Sequence, residues 1–79
     1  MVAYYNQWMV KNLLAQHPGA QKAYGAISMA EPKTAVQIGE ECGLKGPQLD
    51  EALNRLLGVG AIVREHHGGS DEYLKVVEL

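Results

Sequence analysis

The fold of this chain is constrained most by one segment, TAVQIGEECGLKGPQLDEALNRLLG. Its first residue, Thr34, is a suitable N-cap, and Gln37 three positions later completes a capping-box pattern. Gly43 is the residue type that commonly ends a helix in the left-handed region, and Pro47 suits the first position of a new helix. The segment therefore predicts a short helix, a tight turn, and a second helix over about residues 47–58.

The two helices of this segment have apolar residues at helical spacing. In the shorter one, Ala35, Ile38 and Cys42 are spaced for burial. The second helix has the i, i+3, i+4, i+7, i+8 pattern of a single apolar face, formed by Leu49, Ala52, Leu53, Leu56 and Leu57. We therefore expect this helix to pack one face into the core and to expose the opposite one.

Two more helices are predicted upstream. In residues 3–16 the apolar groups that approximate one helical face are Tyr5, Trp8, Met9, Leu13 and Leu14. His17-Pro18-Gly19 then interrupts the helix. In residues 20–30 the corresponding face has Ala20, Ala23, Tyr24, Ile27 and Ala30. Pro32 ends this second helix, because the residue before a proline disfavours the helical region.

The end of the chain has the composition of β-strands. The runs AIVREHH and EYLKVVEL are rich in β-branched and aromatic residues, and GGSD separates them. This arrangement predicts a β-hairpin, although its imperfect alternation does not define the register. With 79 residues, the chain is expected to form one domain that is mainly α with a C-terminal β-hairpin, an α+β fold.

The segment TAVQIGEECGLKGPQLDEALNRLLGVGAIV resembles the winged helix-turn-helix domains of MarR-like and ArsR-like bacterial and archaeal transcriptional regulators. The resemblance extends over about residues 20–79 and leaves residues 1–17 as an accessory N-terminal helix. It implies a small regulator that binds double-stranded DNA through a recognition helix at about residues 47–58. It also implies a β-hairpin wing at about residues 61–79.

The resemblance also implies which side chains contact DNA. By position on the exposed face of the recognition helix and on the wing, these are Lys45, Pro47, Gln48, Glu51, Asn54, Arg55 and Arg64. Glutamine and asparagine pair with adenine, and arginine and lysine with guanine. Asp50 and Glu51 depart from the family pattern, because an acidic side chain is repelled by phosphates.

The charge balance favours binding that is weak, highly specific or dependent on a dimer. The net charge is −2 and the isoelectric point is about 5.8, whereas nucleic-acid binders commonly have a basic excess. On the predicted DNA face the charged residues are Lys33, Lys45, Arg55 and Arg64 against Glu31, Asp50, Glu51 and Asp71. A homodimer that contacts two half-sites would gain avidity.

The N-terminal helix is the candidate dimer or partner interface. Its side chains include those most common in interface cores: Tyr4, Tyr5, Trp8 and Met9. The other interpretation is that this helix packs on the core of its own domain. The alternative function is a winged-helix protein–protein interaction module or small accessory subunit that does not bind DNA.

Several function classes are not supported by the sequence. Neighbouring strand residues point to opposite faces, so His66 and His67 are poorly placed to share a metal ion, and CxxC and HxxxH spacings are missing. The single cysteine, Cys42, is expected to be a buried structural thiol. The sequence has neither a nucleophile–base set nor a phosphate loop that would indicate an enzyme. We expect no metal or cofactor, and, without a signal peptide or membrane span, a cytoplasmic protein.

Overall fold

The computed structural model describes the backbone of residues 2–77 and the side chains of residues 7–77. Within that range the chain forms four helices and three strands. The order is α1 (Val2–Gln16), α2 (Pro18–Ala26), β1 (Lys33–Thr34), α3 (Ala35–Cys42), α4 (Pro47–Gly58), β2 (Ile62–His67) and β3 (Ser70–Lys75). The predicted α+β class is therefore confirmed. None of the helices in residues 2–77 has the length and apolarity that a bilayer-spanning segment needs.

The buried face of α1 differs from the predicted one. Val10 is fully buried, with Leu13 and Leu14 half-buried on the same side of the helix. Trp8 is 63% exposed, since it lies about 160° around the helix from Val10 at about 100° per residue. The spacing of the apolar residues placed Trp8 on the same face as Leu13. Spacing alone does not show that the smaller residue, Val10, packs into the core and the larger one, Trp8, does not.

α2 begins earlier and ends earlier than predicted. Pro18 occupies its first turn directly after His17, so the predicted break is the start of the helix. The helix ends at Ala26 rather than continuing to residue 30, and Ile27 is extended and buried. Ser28 stabilises the turn that follows, because its Oγ accepts hydrogen bonds from the N–H groups of Ala30 and Glu31, at 3.0 and 3.1 Å.

The signals of the α3–α4 segment are confirmed. The Gln37 N–H donates to Thr34 Oγ1 at 3.3 Å, and the Thr34 N–H donates to Gln37 Oε1 at 2.9 Å, which completes the capping box. Gly43 has φ 80° at the end of α3, in the region where a Cβ is unfavourable. Pro47 is in the first turn of α4. Local chemistry therefore determines where both helices begin and end.

The sheet contains one strand that the sequence did not predict. β1 has two residues and pairs antiparallel with β3, Lys33 with Tyr73, which gives the strand order β1-β3-β2. The predicted hairpin is present, and its register pairs Arg64 with Tyr73 and His67 with Ser70. Its turn has only two residues, Gly68 and Gly69, both with positive φ.

β3 and the residues that follow it are attached to α2 and to the turn after α2. The Tyr24 hydroxyl of α2 donates to the carbonyl oxygen of Val77, and the Lys75 N–H donates to Ser28 O at 2.8 Å. The Lys75 ammonium lies 4.0 Å from the centre of the Tyr24 ring. The core beneath these contacts consists of Val10, Ala20, Ala23, Tyr24, Ile27, Ile38, Leu49, Ala52, Leu53, Leu56, Ala61, Ile62 and Tyr73.

Candidate nucleic-acid interface

α4 separates its apolar and polar residues onto opposite faces. The buried face is the predicted one, with Leu49, Ala52, Leu53 and Leu56 in the core and Leu57 half-buried. All seven residues predicted to contact DNA are exposed: Lys45, Pro47, Gln48, Glu51, Asn54, Arg55 and Arg64. They are accessible, but they do not form a single patch.

Three of these residues lie in a cleft between the start of α2 and the outer face of α4. This α2–α4 cleft has a volume of about 390 Å³. From α4 it is lined by Gln48, Glu51 and Arg55. From the α2 side it is lined by His17 and Lys22, which the sequence did not place near α4. The apolar part of its lining comes from Pro18, Ala20, Leu44 and Ala52.

Arg55 is held in this cleft by two contacts. Its Nε donates to Glu51 Oε1 one turn earlier, at 3.3 Å. Its Nη1 lies 3.3 Å from Nε2 of His17, and since a guanidinium has only donors, Nε2 is the acceptor. Two of the five N–H groups of Arg55 are used in this way.

The two acids of α4, Asp50 and Glu51, have different positions. Glu51 lines the cleft and is an ion-pair partner of Arg55. Asp50 is also exposed but lies about 140° around the helix from Arg55, since each residue turns a helix by about 100°, and it is not part of the cleft lining. Both carboxylates repel phosphate, but only that of Glu51 is close to Arg55.

The other predicted contacts lie away from the cleft. Lys45 lines a second, more apolar groove of about 270 Å³ against α3, next to Val36. Arg64 is on β2, opposite Tyr73. Pro47 and Asn54 are on the outer surface of α4 and do not line the cleft.

The basic residues divide into engaged and available groups. Lys33 is engaged, because its Nζ lies 2.8 Å from Glu41 Oε2 and donates to Ala26 O at 3.0 Å. It stabilises the end of α2 and does not add to a positive surface. The lysines without a hydrogen bond or ion pair, within the part of the chain that the structure describes, include Lys11, Lys22 and Lys45.

The residues considered for metal binding are far from forming a site. Nδ1 of His66 lies 2.7 Å from Asp71 Oδ1, and Nε2 of His67 lies 3.4 Å from Glu65 Oε1, so the rings contact different carboxylates. Cys42 is half-buried on α3. Across residues 2–77, no three His, Cys, Asp or Glu side chains are close enough to hold one ion.

The proposed interface on α1 is described only in part. The side chains of Tyr4 and Tyr5 lie outside the described residues. Trp8 is 63% exposed, and Met9 is half-buried. Trp8 is therefore available on the side of α1 that faces away from the core.

Comparison of the chain with models of known protein families, with curated proteins and with solved structures finds no match in any of the three. The arrangement that most nearly resembles a binding site is the α2–α4 cleft, with the exposed face of α4 beside it.

Proposed function

We propose that the protein is a small DNA-binding transcriptional regulator with a winged helix-turn-helix fold. In this proposal α3 and α4 form the helix-turn-helix, α4 enters the major groove, and the β2–β3 hairpin is the wing. The element order and the three-stranded sheet are compatible with this fold. An α-helix fits the major groove of B-DNA, where base edges are distinguishable.

One observation carries the proposal: the face of α4 opposite the core presents Gln48, Asn54 and Arg55 to solvent. These side chains have the donors and acceptors that pair with adenine and guanine edges. Gln48 and Arg55 line the same cleft, so both project on the same flank of the helix.

The charges favour a dimer over a single module. The chain has seven Lys and Arg against nine Asp and Glu, and Lys33 and Arg55 are already in ion pairs. One copy would bind DNA weakly, because phosphate neutralisation supplies most of the affinity of such proteins. Two copies joined through α1, where Trp8 is exposed, would contact two half-sites at once.

The decisive experiment is selection of sites from a random duplex library at low salt, followed by a salt titration on the selected duplex. For specific binding, the logarithm of the affinity is expected to fall linearly with the logarithm of the salt concentration. Arg55→Ala and Gln48→Ala should each weaken binding to the selected duplex by about 1–3 kcal/mol, as for one lost contact to DNA. If the protein retains no duplex even at low salt, the proposal of DNA binding is rejected.

The alternative is a protein-interaction module that keeps this fold without DNA. The exposed indole of Trp8 favours this alternative, and so does the ion pair between Arg55 and Glu51. Aromatic side chains are enriched in interface cores. This function would be indicated if no duplex is retained and if Trp8→Ala abolishes association with a partner protein.

A further inference from the structure

We propose that the α2–α4 cleft is a phosphate-binding site in which Lys22 from α2 and Arg55 from α4 hold one phosphate group. Lys22 and His17 are not among the residues predicted to contact DNA. The affinity of the cleft for phosphate is independent of the proposed function, whereas the identification of duplex DNA as the source of the phosphate rests on it.

The first argument is the local charge. Lys22 and Arg55 line the cleft, and Glu51 is its only carboxylate within the described chain. The cleft therefore has a net positive charge in a protein whose total charge is −2. Glu51 is itself paired with Arg55 Nε, so Lys22 is the cation of the cleft whose charge is not compensated by a carboxylate there. An anion is attracted to this cleft although the molecule as a whole repels it.

The second argument is the state of the two cations. Within the described residues Lys22 has no hydrogen bond or ion pair, so its three donors are available. Arg55 is oriented by Glu51 and His17, and three of its five N–H groups remain for a ligand. Binding therefore requires little further ordering of the guanidinium, which lowers the entropic cost of the contact.

His17 is a positioning residue in this site. Its Nε2 accepts from Arg55 Nη1 at 3.3 Å and so connects the beginning of α2 to α4. Gln48, on the same flank of α4 as Arg55, contributes an amide donor to the cleft. The side chains that line this cleft thus come from two separate helices.

This arrangement suits a phosphate group better than a carboxylate. Arginine makes bidentate, charge-assisted hydrogen bonds to phosphate oxygens, and lysine acts as a point charge beside them. Phosphate oxygens point in several directions, so donors on α2 and α4 can each reach a different oxygen. The volume of about 390 Å³ exceeds that of one phosphate and leaves space for the group to which it is esterified.

Two carriers have the same chemistry: the phosphodiester backbone of duplex DNA and a free or small-molecule phosphate. The test compares Lys22→Ala with the matched control Lys11→Ala, which removes another exposed lysine that does not line the cleft. The full chain is titrated with inorganic phosphate, and with sodium chloride at equal ionic strength, while backbone amide signals are followed by NMR.

Phosphate, but not chloride, is expected to shift the amide signals of Gly19, Gln48 and Ala52, which belong to the cleft. Lys22→Ala should weaken this binding by roughly tenfold, as expected for one lost charge-assisted hydrogen bond. Lys11→Ala should leave it unchanged. Absence of a phosphate-specific shift, or equal effects of the two variants, would overturn the proposal whatever happens with DNA.

A second arm of the experiment uses the selected duplex, or any short duplex at low salt, to identify the source of the phosphate. If the phosphate belongs to DNA, Lys22→Ala should reduce the slope of log affinity against log salt by about one, and Lys11→Ala should not. If phosphate binds through Lys22 but duplex affinity is absent or insensitive to it, the site is supported with a free phosphate as its ligand. The DNA-binding proposal itself fails only if no duplex is bound at low salt.

Discussion

Nη1 of Arg55 donates a hydrogen bond to Nε2 of His17 at 3.3 Å, which links α4 to the residue preceding α2. We expect the double-mutant cycle of His17→Ala and Arg55→Ala to give a coupling free energy of about 0.5 kcal/mol, because the contact is partly exposed. Urea unfolding of the four proteins measures it. His17→Gln keeps an acceptor and should lose less stability than His17→Ala; additive single effects would contradict the linkage.

The two acids of α4 should differ in their effect on DNA binding. Glu51→Gln keeps an acceptor for Arg55 Nε but removes the carboxylate from the cleft. We expect duplex affinity at low salt to rise by a factor of roughly two to five, as for one removed charge at a solvated distance. Asp50→Asn removes the same charge on a flank of α4 that is outside the cleft and should have the smaller effect. The reverse order would show that α4 docks through a different flank.

Gly39 marks the closest approach of α3 to the turn that follows it. A Cβ at Gly39 would lie 3.0 Å from Leu44 O and 3.1 Å from Leu49 Cδ2. Gly39→Ala is therefore expected to destabilise the fold by about 1–3 kcal/mol, because the turn must shift to accept it. Denaturant unfolding measures the change.

The matched control is Gly25→Ala, since a Cβ at this position in α2 meets nothing within 4 Å. It should leave stability unchanged or raise it by about 0.4–1 kcal/mol through the unfolded chain. Equal destabilisation by both substitutions would mean that the approach of α3 to the turn is not the cause.

The capping box of α3 predicts a different pattern at Thr34. Thr34→Ala removes the oxygen that accepts from the Gln37 N–H and should cost about 1 kcal/mol of folding free energy. Thr34→Ser retains a hydroxyl at the N-cap and should retain most of that stability. Thermal unfolding distinguishes the two variants. If Thr34→Ser loses as much stability as Thr34→Ala, the effect comes from the packing of β1 and not from the cap.

Trp8 provides the test of dimerisation. Its indole is 63% exposed, so Trp8→Ala should change the free energy of unfolding of one copy by less than about 0.5 kcal/mol. If α1 forms the dimer interface, the same substitution should shift sedimentation toward the monomer mass. Val10→Ala should instead lower the stability of the fold, because Val10 is fully buried. An unchanged mass distribution in Trp8→Ala would exclude the indole from the interface.

Features with a local cause were predictable from the sequence. The capping box, the left-handed Gly43 and the proline at the start of α4 each follow from the chemistry of a few neighbouring residues. The two-glycine hairpin turn belongs to the same class, although the strands extend closer to it than the sequence suggested.

Features that depend on distant residues were not predictable in this way. β1 exists only because Lys33 and Thr34 lie beside β3, and two residues have no periodicity to detect. The α2–α4 cleft was missed for the same reason, because His17 was interpreted as part of a break and Lys22 was given no role. The contact between His17 and Arg55 has no sequence signal, since helix packing alone brings them together.

The strand order β1-β3-β2 leaves the outer edge of β2 without a strand partner in residues 2–77. Such an edge is a template on which another copy can add a strand and start aggregation. Here the edge is occupied by the consecutive polar residues Arg64, Glu65, His66 and His67, and the Gly68-Gly69 turn ends it. The polar character of the hairpin therefore has a role in solubility that is independent of DNA, and apolar substitutions there should promote precipitation before they alter the fold.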